Sequence, residues 1–414
     1  MFLHNKATKS SSRRLKCAVK LDFGAKGSDL RSCYNALREG NRLVSRFKRK
    51  ELYLFYAPKQ AIAASGDTVF VMTAGGLLSL LNGLFVQLTK TEVQNVSTCI
   101  YRGDVIVSAK DMGTYIVNQK TAQSVYGDGF SSLAVCADRI FGLQQNEVRY
   151  TAAGERDGFS KGEMITLPTD CDALAVVDDE VYVLGNTCYT IMPKADDVEF
   201  KFNFFAHNMG AVAARSVVNH NGRAVFATSN GMYQIYNDKI TPIFTELNEA
   251  VDFSKSVGTL FDGKYYLCCR SRDGSEEDND VTLVLDLDKE EIAGVLDVGF
   301  DSICATDSKI YVTKSDHIYW LWEAASPAHY VKSNINFASD RKKFLDMLTV
   351  TTRSDLDVAI HSERETRLYK IKGKKTAQKI NLRDMGWDFS IELTSNDGFD
   401  VENLSLEAHV CEEV

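Results

Sequence analysis

A short polar turn recurs along the middle of this chain at residues 66, 103, 138, 179, 222, 263 and 308, with spacings of 37, 35, 41, 43, 41 and 45 residues. Each turn is followed by a strongly β-forming run, a second turn bearing Gly, Asn or Asp, and another apolar run. Examples are Asp179 with Val181-Tyr182-Val183-Leu184, Gly185-Asn186 and Cys188-Tyr189-Thr190-Ile191, and Asn221-Gly222 with Ala224-Val225-Phe226-Ala227, Asn230-Gly231 and Met232-Tyr233-Gln234-Ile235. Self-similarity at about 40 residues is the mark of a repeat architecture. Asn-Gly and Asp-Gly supply the positive φ of tight hairpin turns. The first run of each unit is apolar at every position, as in strands covered on both faces. One such hairpin unit cannot bury both faces alone, so the expected solution is radial stacking into a closed ring. The fold class expected is therefore all-β: a β-propeller of about seven blades over residues 56–334. Six or eight blades, or a pair of elongated β-sandwiches, are the alternatives.

Beyond residue 335 the pattern changes to strict alternation. Trp387, Phe389, Ile391 and Leu393 alternate with Asp388, Ser390, Glu392 and Thr394, and Leu404, Leu406, Ala408 and Val410 with Ser405, Glu407 and His409. A period of two with one polar face predicts half-buried antiparallel strands. Residues 335–414 are thus expected to form a C-terminal antiparallel β-sandwich-like domain.

The charge is uneven. Residues 1–50 carry fourteen Lys or Arg and three acids, whereas the whole 414-residue chain has a formal net charge of −8. Residues 1–55 therefore read as a basic N-terminal arm on an acidic body. Within it Leu15, Cys17, Val19 and Leu21 alternate with Arg14, Lys16, Ala18 and Lys20, which suggests a strand and counts against an amphipathic targeting presequence. Arg13, Arg14, Lys16, Arg38, Arg42, Arg46, Lys48, Arg49 and Lys50 are the candidates for contact with nucleic-acid phosphates or an acidic partner.

Catalytic and metal signatures are weak. The ten cysteines are scattered without a Cys-x-x-Cys pair, and the seven histidines form no His-x-x-x-His pair. Reduced, mostly buried thiols of an intracellular protein are expected. Gly24-Ala25-Lys26-Gly27-Ser28 lacks phosphate-loop spacing, and Asp273–Asp280, an acidic loop, lacks the ligand order of an EF-hand. Ser395-Asn396-Asp397-Gly398-Phe399 partly resembles the Ser-x-Asp-x-Gly boxes of propeller glycosidases, but occurs once and outside the ring. Neither an enzyme activity nor a cofactor is expected. No apolar run reaches the roughly 18 residues of a membrane span, and no secretory leader is expected from the start of the sequence.

The stretch Arg139-Ile140-Phe141-Gly142-Leu143, Glu147-Val148-Arg149-Tyr150-Thr151 and Gly154-Glu155-Arg156-Asp157-Gly158-Phe159 resembles a unit recurring in bacteriophage tail nozzle and packaged-DNA stabilisation proteins. Val181–Ile191 and Ala214–Tyr233 resemble the following units, as does the order of parts. The resemblance implies a structural virion protein of the neck or tail. It would form a homo-oligomeric ring, expected to be six-fold, against portal, adaptor or other tail proteins, and extend the channel through which double-stranded DNA passes. The alternative is a cellular β-propeller scaffold that mediates protein–protein interaction, although the Gly-His and Trp-Asp pairs of WD40 blades are not repeated here.

Overall fold

A computed structural model describes residues 16–20, 33, 35–39, 41–45, 49–54, 59–62, 68–73, 75–81, 84–90, 96–109, 112–118, 121–160, 164–194, 200–272, 274, 277–315, 317–321, 327–335, 337 and 340–410, with the backbone alone at 16–20, 49–54, 59–62, 81, 84–85 and 160. The chain is all-β: among the described residues the regular elements are strands and a few 3₁₀ turns. It divides into two compact units, one within residues 26–30 and 47–324 and the other within 1–25, 31–46 and 325–414.

In the larger unit the described strands fall into seven successive groups of four, each an antiparallel meander. Their first strands are Lys59–Ile62, Val96–Tyr101, Ser132–Cys136, Ala173–Val177, Val218–His220, Val251–Phe261 and Ser302–Ala305. From the second group onward each first strand packs beside that of the next, and Ser302–Ala305 comes back against Lys59–Ile62. The seventh group is completed from the other end of the sequence. Arg49–Leu54 pairs antiparallel with His317–Leu321, setting Leu54 opposite His317 and Arg49 opposite Leu321.

Local chemistry explains these meanders. The turn between the first and second strands carries positive φ at Gly103 (85°), Asp138 (55°), Asp179 (65°) and Asn221 (48°). These are the residue types that tolerate the left-handed region at the centre of a tight hairpin. The second strands are the most apolar and the most enclosed; Val69–Thr73 is buried at every residue. The cores lie between neighbouring sheets. Phe141, Leu143, Val148 and Tyr150 of the third sheet pack with Leu174, Val181 and Val183 of the fourth. The Phe200 ring closes this layer at 4.8 Å from Tyr150. Full burial of one such side chain contributes about 1.5–3 kcal/mol, so the stack of sheets is a chain of hydrophobic layers.

The smaller unit has two sets of antiparallel strands. In one, Ala328–Ile335, Phe389–Ser395, Leu356–His361 and Thr366–Ile371 pair in that order. In the other, Asp400–Val410 lies between Lys343–Thr352 and Arg42–Val44, with Ala36–Glu39 and Lys374–Gly386 outside them. Lys16–Lys20 pairs with Asp400–Val410 as well, placing Cys17 opposite Ala408. The alternation read in the sequence is present: Leu404, Leu406 and Ala408 are buried, and the residues between them are half-buried. The stretch expected as a basic arm thus supplies strands to both units.

Among the described residues no helix is long and apolar enough to cross a membrane.

Candidate functional site

Where the first strands of the sheets converge they enclose a cavity of about 420 Å³. Its wall is built from Val96–Tyr101, Ser132–Cys136, Ala173–Val177, Val251–Phe261 and Ser302–Ala305, together with the turn and strand around Arg215 and Asn219. Two wall serines tie neighbouring sheets together. The Leu133 amide donates to Ser97 Oγ at 2.8 Å, and the Leu174 amide donates to Ser132 Oγ at 2.9 Å. A hydroxyl on one first strand thereby satisfies a backbone donor of the next, which fixes the spacing of the wall.

Arg215 lies in a 3₁₀ turn, Ala214–Ser216, just before the first strand of the fifth sheet. Ser216 anchors the turn: its Oγ donates to the Ala213 carbonyl at 2.6 Å and accepts the Ala227 amide at 2.8 Å. The buried Tyr265 hydroxyl donates to the Ser216 carbonyl at 2.6 Å. Arg215 Nη2 donates to the Asp301 carbonyl at 2.9 Å. Enclosure by protein lowers the Arg215 pKa from its ordinary value, and Asp301 opposes that effect. The thiols of Cys99 and Cys304 also face the cavity, and burial pushes both up to about 12, so both are neutral.

Outside the cavity, charged and phenolic groups bridge successive sheets. Tyr101 donates to Asp138 Oδ1 at 2.9 Å and Arg102 Nε donates to the same oxygen at 3.0 Å. These bonds hold the Asp138 carboxyl below the usual carboxylate range, Arg102 being the larger cause. Between the fifth and sixth sheets Asp288 accepts from Arg223 Nη2 at 2.6 Å and Asn221 Nδ2 at 3.2 Å, and lies 3.1 Å from His220 Nε2. The hairpin turns legible in the sequence are therefore also docking points between sheets.

The basic candidates are dispersed. Arg13, Arg14, Arg46 and Lys48 lie outside the described residues, and Lys16, Arg49 and Lys50 are described in backbone only, on strands. Arg38 lies on Ala36–Glu39, and Arg42 is ion-paired with Asp400 in the smaller unit. That pair borders a second cavity, about 580 Å³, together with Arg353, Asp355, Asp397 and Phe399 of the box-like segment. Two of its charges are paired locally: Arg353 meets Glu402 at 2.9 Å and Lys372 meets Asp355 at 2.6 Å. Ser45 Oγ accepts the Phe399 amide at 2.9 Å, so the box segment serves as a backbone anchor.

In the acidic loop, Asp273, Ser275 and Glu276 lie outside the described residues. Asp280 Oδ1 accepts the Ser271 amide at 2.6 Å, and Asn279 is buried, its Nδ2 donating to the carbonyls of Lys255 and Phe300 at 3.1 Å. The described cysteines are buried apart from the half-buried Cys99; Cys17 and Cys411 fall outside the described side chains. Arg215 was not singled out by the sequence, because a lone arginine in a connection between strands carries no spacing signal.

No family model matches the chain, and no curated protein matches it in sequence. Among solved structures, the C-terminal WD40 domain of Sif2 is 14% identical, covering 75% of this chain and 98% of that one, with a TM-score of 0.45. The computationally designed Ika8 protein is 12% identical, covering 66% of this chain and 100% of that one, with a TM-score of 0.44. At TM-scores below 0.5 neither likeness identifies a fold.

Proposed function

We propose that the seven four-stranded groups are the blades of one β-propeller, that the smaller unit is a β-sandwich, and that the chain is a non-enzymatic scaffold binding other proteins. The reading is supported chiefly by large apolar side chains left in water on three successive sheets. Met164 and Phe204 sit on the last strands of the third and fourth sheets, Met192 follows the third strand of the fourth, and Tyr236 ends the third strand of the fifth. Phe204 is 61% exposed and Met192 55%. Exposed aromatic and methionine side chains on rigid strands are the usual material of protein-binding surfaces. The step from ring to scaffold is otherwise one of fold-level analogy. The test is affinity capture from extracts of the source cells, comparing the native chain with Phe204→Asp. The reading expects specific partners retained by the native chain and lost from the variant; identical capture by both would contradict it.

A second reading is a bacteriophage neck or tail component, localised to the virion. It is favoured by the order of parts, since a β-unit formed from both ends of the sequence flanks a central run of repeated sheets. On this reading the chain assembles with itself, in a ring expected to be six-fold, and binds portal or tail proteins. DNA would run through the oligomer, because a cavity of about 420 Å³ inside one chain cannot pass a duplex. Light scattering alone and with particle fractions separates the readings: ring-sized oligomers or particle attachment favour the virion component, and a persistent monomer that never joins particles excludes it.

A further inference from the structure

We infer that the cavity enclosed by the first strands is a binding site for a single carboxylate or phosphate oxyanion, anchored by the guanidinium of Arg215. Among the described residues lining it, Arg215 is the one charged side chain; the rest of the wall is neutral, with Thr98, Thr259 and Asn219 as polar neighbours. This is a positive site in a chain whose formal net charge is −8. Among the described lining residues no carboxylate faces it, although the charge of Asp301, outside the lining, acts on it. The thiols of Cys99 and Cys304 stay protonated at neutral pH, and the Asp301 contact is made by its backbone carbonyl at 2.9 Å, while its carboxylate accepts the Ser315 amide at 2.7 Å.

The guanidinium is enclosed and yet reachable. Arg215 keeps an exposed surface and is one of the residues that line the cavity. One Nη2–H is committed to the Asp301 carbonyl; the guanidinium has two donor edges, Nε–Nη2 and Nη1–Nη2, each drawing on a different Nη2 hydrogen, so one edge is left to donate. Two parallel N–H donors in a plane match the two oxygens of a carboxylate or phosphate. Enclosure costs the cation solvation, and a bound oxyanion restores both charge balance and hydrogen bonds. The anchor is also rigid, because Tyr265 and Ser216 hold the turn that carries it. A cavity of about 420 Å³ lies within the range of small-molecule sites.

The experiment is calorimetric titration of the full chain with citrate and, separately, with inorganic phosphate, at constant ionic strength in chloride. Saturable one-to-one binding of at least one of them is expected, weakened at least tenfold in Arg215→Gln and less in Arg215→Lys, which keeps the charge but loses the fork. Binding of citrate alone or phosphate alone identifies the preferred source of the oxyanion. A crystal of the native chain grown with selenate should place the anion within hydrogen-bond distance of Arg215, which keeps the test decisive if the variants do not fold. No saturable binding by either anion, equal binding by Arg215→Gln, or selenate found only elsewhere would overturn the inference.

Discussion

The Tyr265 hydroxyl lies 2.6 Å from the Ser216 backbone carbonyl, joining the second strand of the sixth sheet to the turn that carries Arg215. The phenol is fully enclosed, and the same ring fills the space above Gly258, where an added Cβ would come within 2.5 Å of it. Tyr265→Phe keeps the shape and removes the donor. A buried carbonyl left without its partner costs about 1–3 kcal/mol. The variant should therefore shift the urea midpoint to lower concentration with an unchanged slope and a native far-UV spectrum. An unchanged midpoint would mean the turn is held by Ser216 Oγ alone.

Gly142 makes a second packing claim. A Cβ there would lie 2.5 Å from the Phe130 ring. That ring cannot easily retreat, being stacked at 5.5 Å on Tyr126 and packed at 4.9 Å against Phe159. Overpacking a site of this kind typically costs about 1–3 kcal/mol. Gly142→Ala should lower thermal stability accordingly, and Phe130→Leu in the same chain should recover part of the loss, a coupling measurable in a double-mutant cycle.

In the smaller unit, Glu392 is shared by two histidines, with His329 Nε2 at 2.6 Å from Oε1 and His361 Nε2 at 3.1 Å from Oε2. Burial works against the charged carboxylate, but the hydrogen bonds to the two histidines together outweigh it and lower its pKa. A carboxyl held lower in the folded than in the unfolded state contributes stability that is complete above the unfolded value, about 4.3. That contribution is lost as pH falls through the folded value. Glu392→Gln should therefore be less stable than the native chain at pH 6, with the difference shrinking below about pH 4. Equilibrium denaturation across that range checks the sign; a difference that grows on acidification would refute it.

How much of this was legible in the sequence depends on which strand is considered. The second strands, such as Val181 to Leu184, and some third strands, such as Cys188 to Ile191, are buried on both faces and so announce themselves as apolar runs. The turns before them announce themselves through Asp138, Asp179, Asn221 and Asp262, all of which adopt positive φ. Outer strands were less visible: Phe202–His207 is largely half-buried or exposed, which frees its composition. Lys374–Gly386 was missed because its first half is polar and mostly in water, so no alternation marks it. The pairing of Arg49–Leu54 with His317–Leu321 joins segments more than 260 residues apart, and local pattern carries no information about such a partner. The cavity shares that difficulty, since Arg215 and Thr98 come to line one cavity only in the folded chain.

That long-range pairing has a direct mechanical consequence. Removing Arg49–Leu54 would leave His317–Leu321 with an unpaired edge of backbone donors and acceptors. A chain lacking residues 1–54 should melt at lower temperature and self-associate at micromolar concentration, as read by scanning calorimetry and light scattering. If its larger unit melted unchanged, the N-terminal strand would not close the ring.

Amide hydrogen exchange on the intact chain, followed by mass spectrometry, tests the proposed closure of the seven sheets into a ring most directly. The account predicts slow exchange in peptides covering 49–54 and 317–321, rising together as denaturant is added and with the same dependence as the second strand Val181 to Leu184 far around the ring. Fast exchange across 49–54 with 317–321 still protected would contradict it, because the ring would then be closed by something other than its own N-terminal strand.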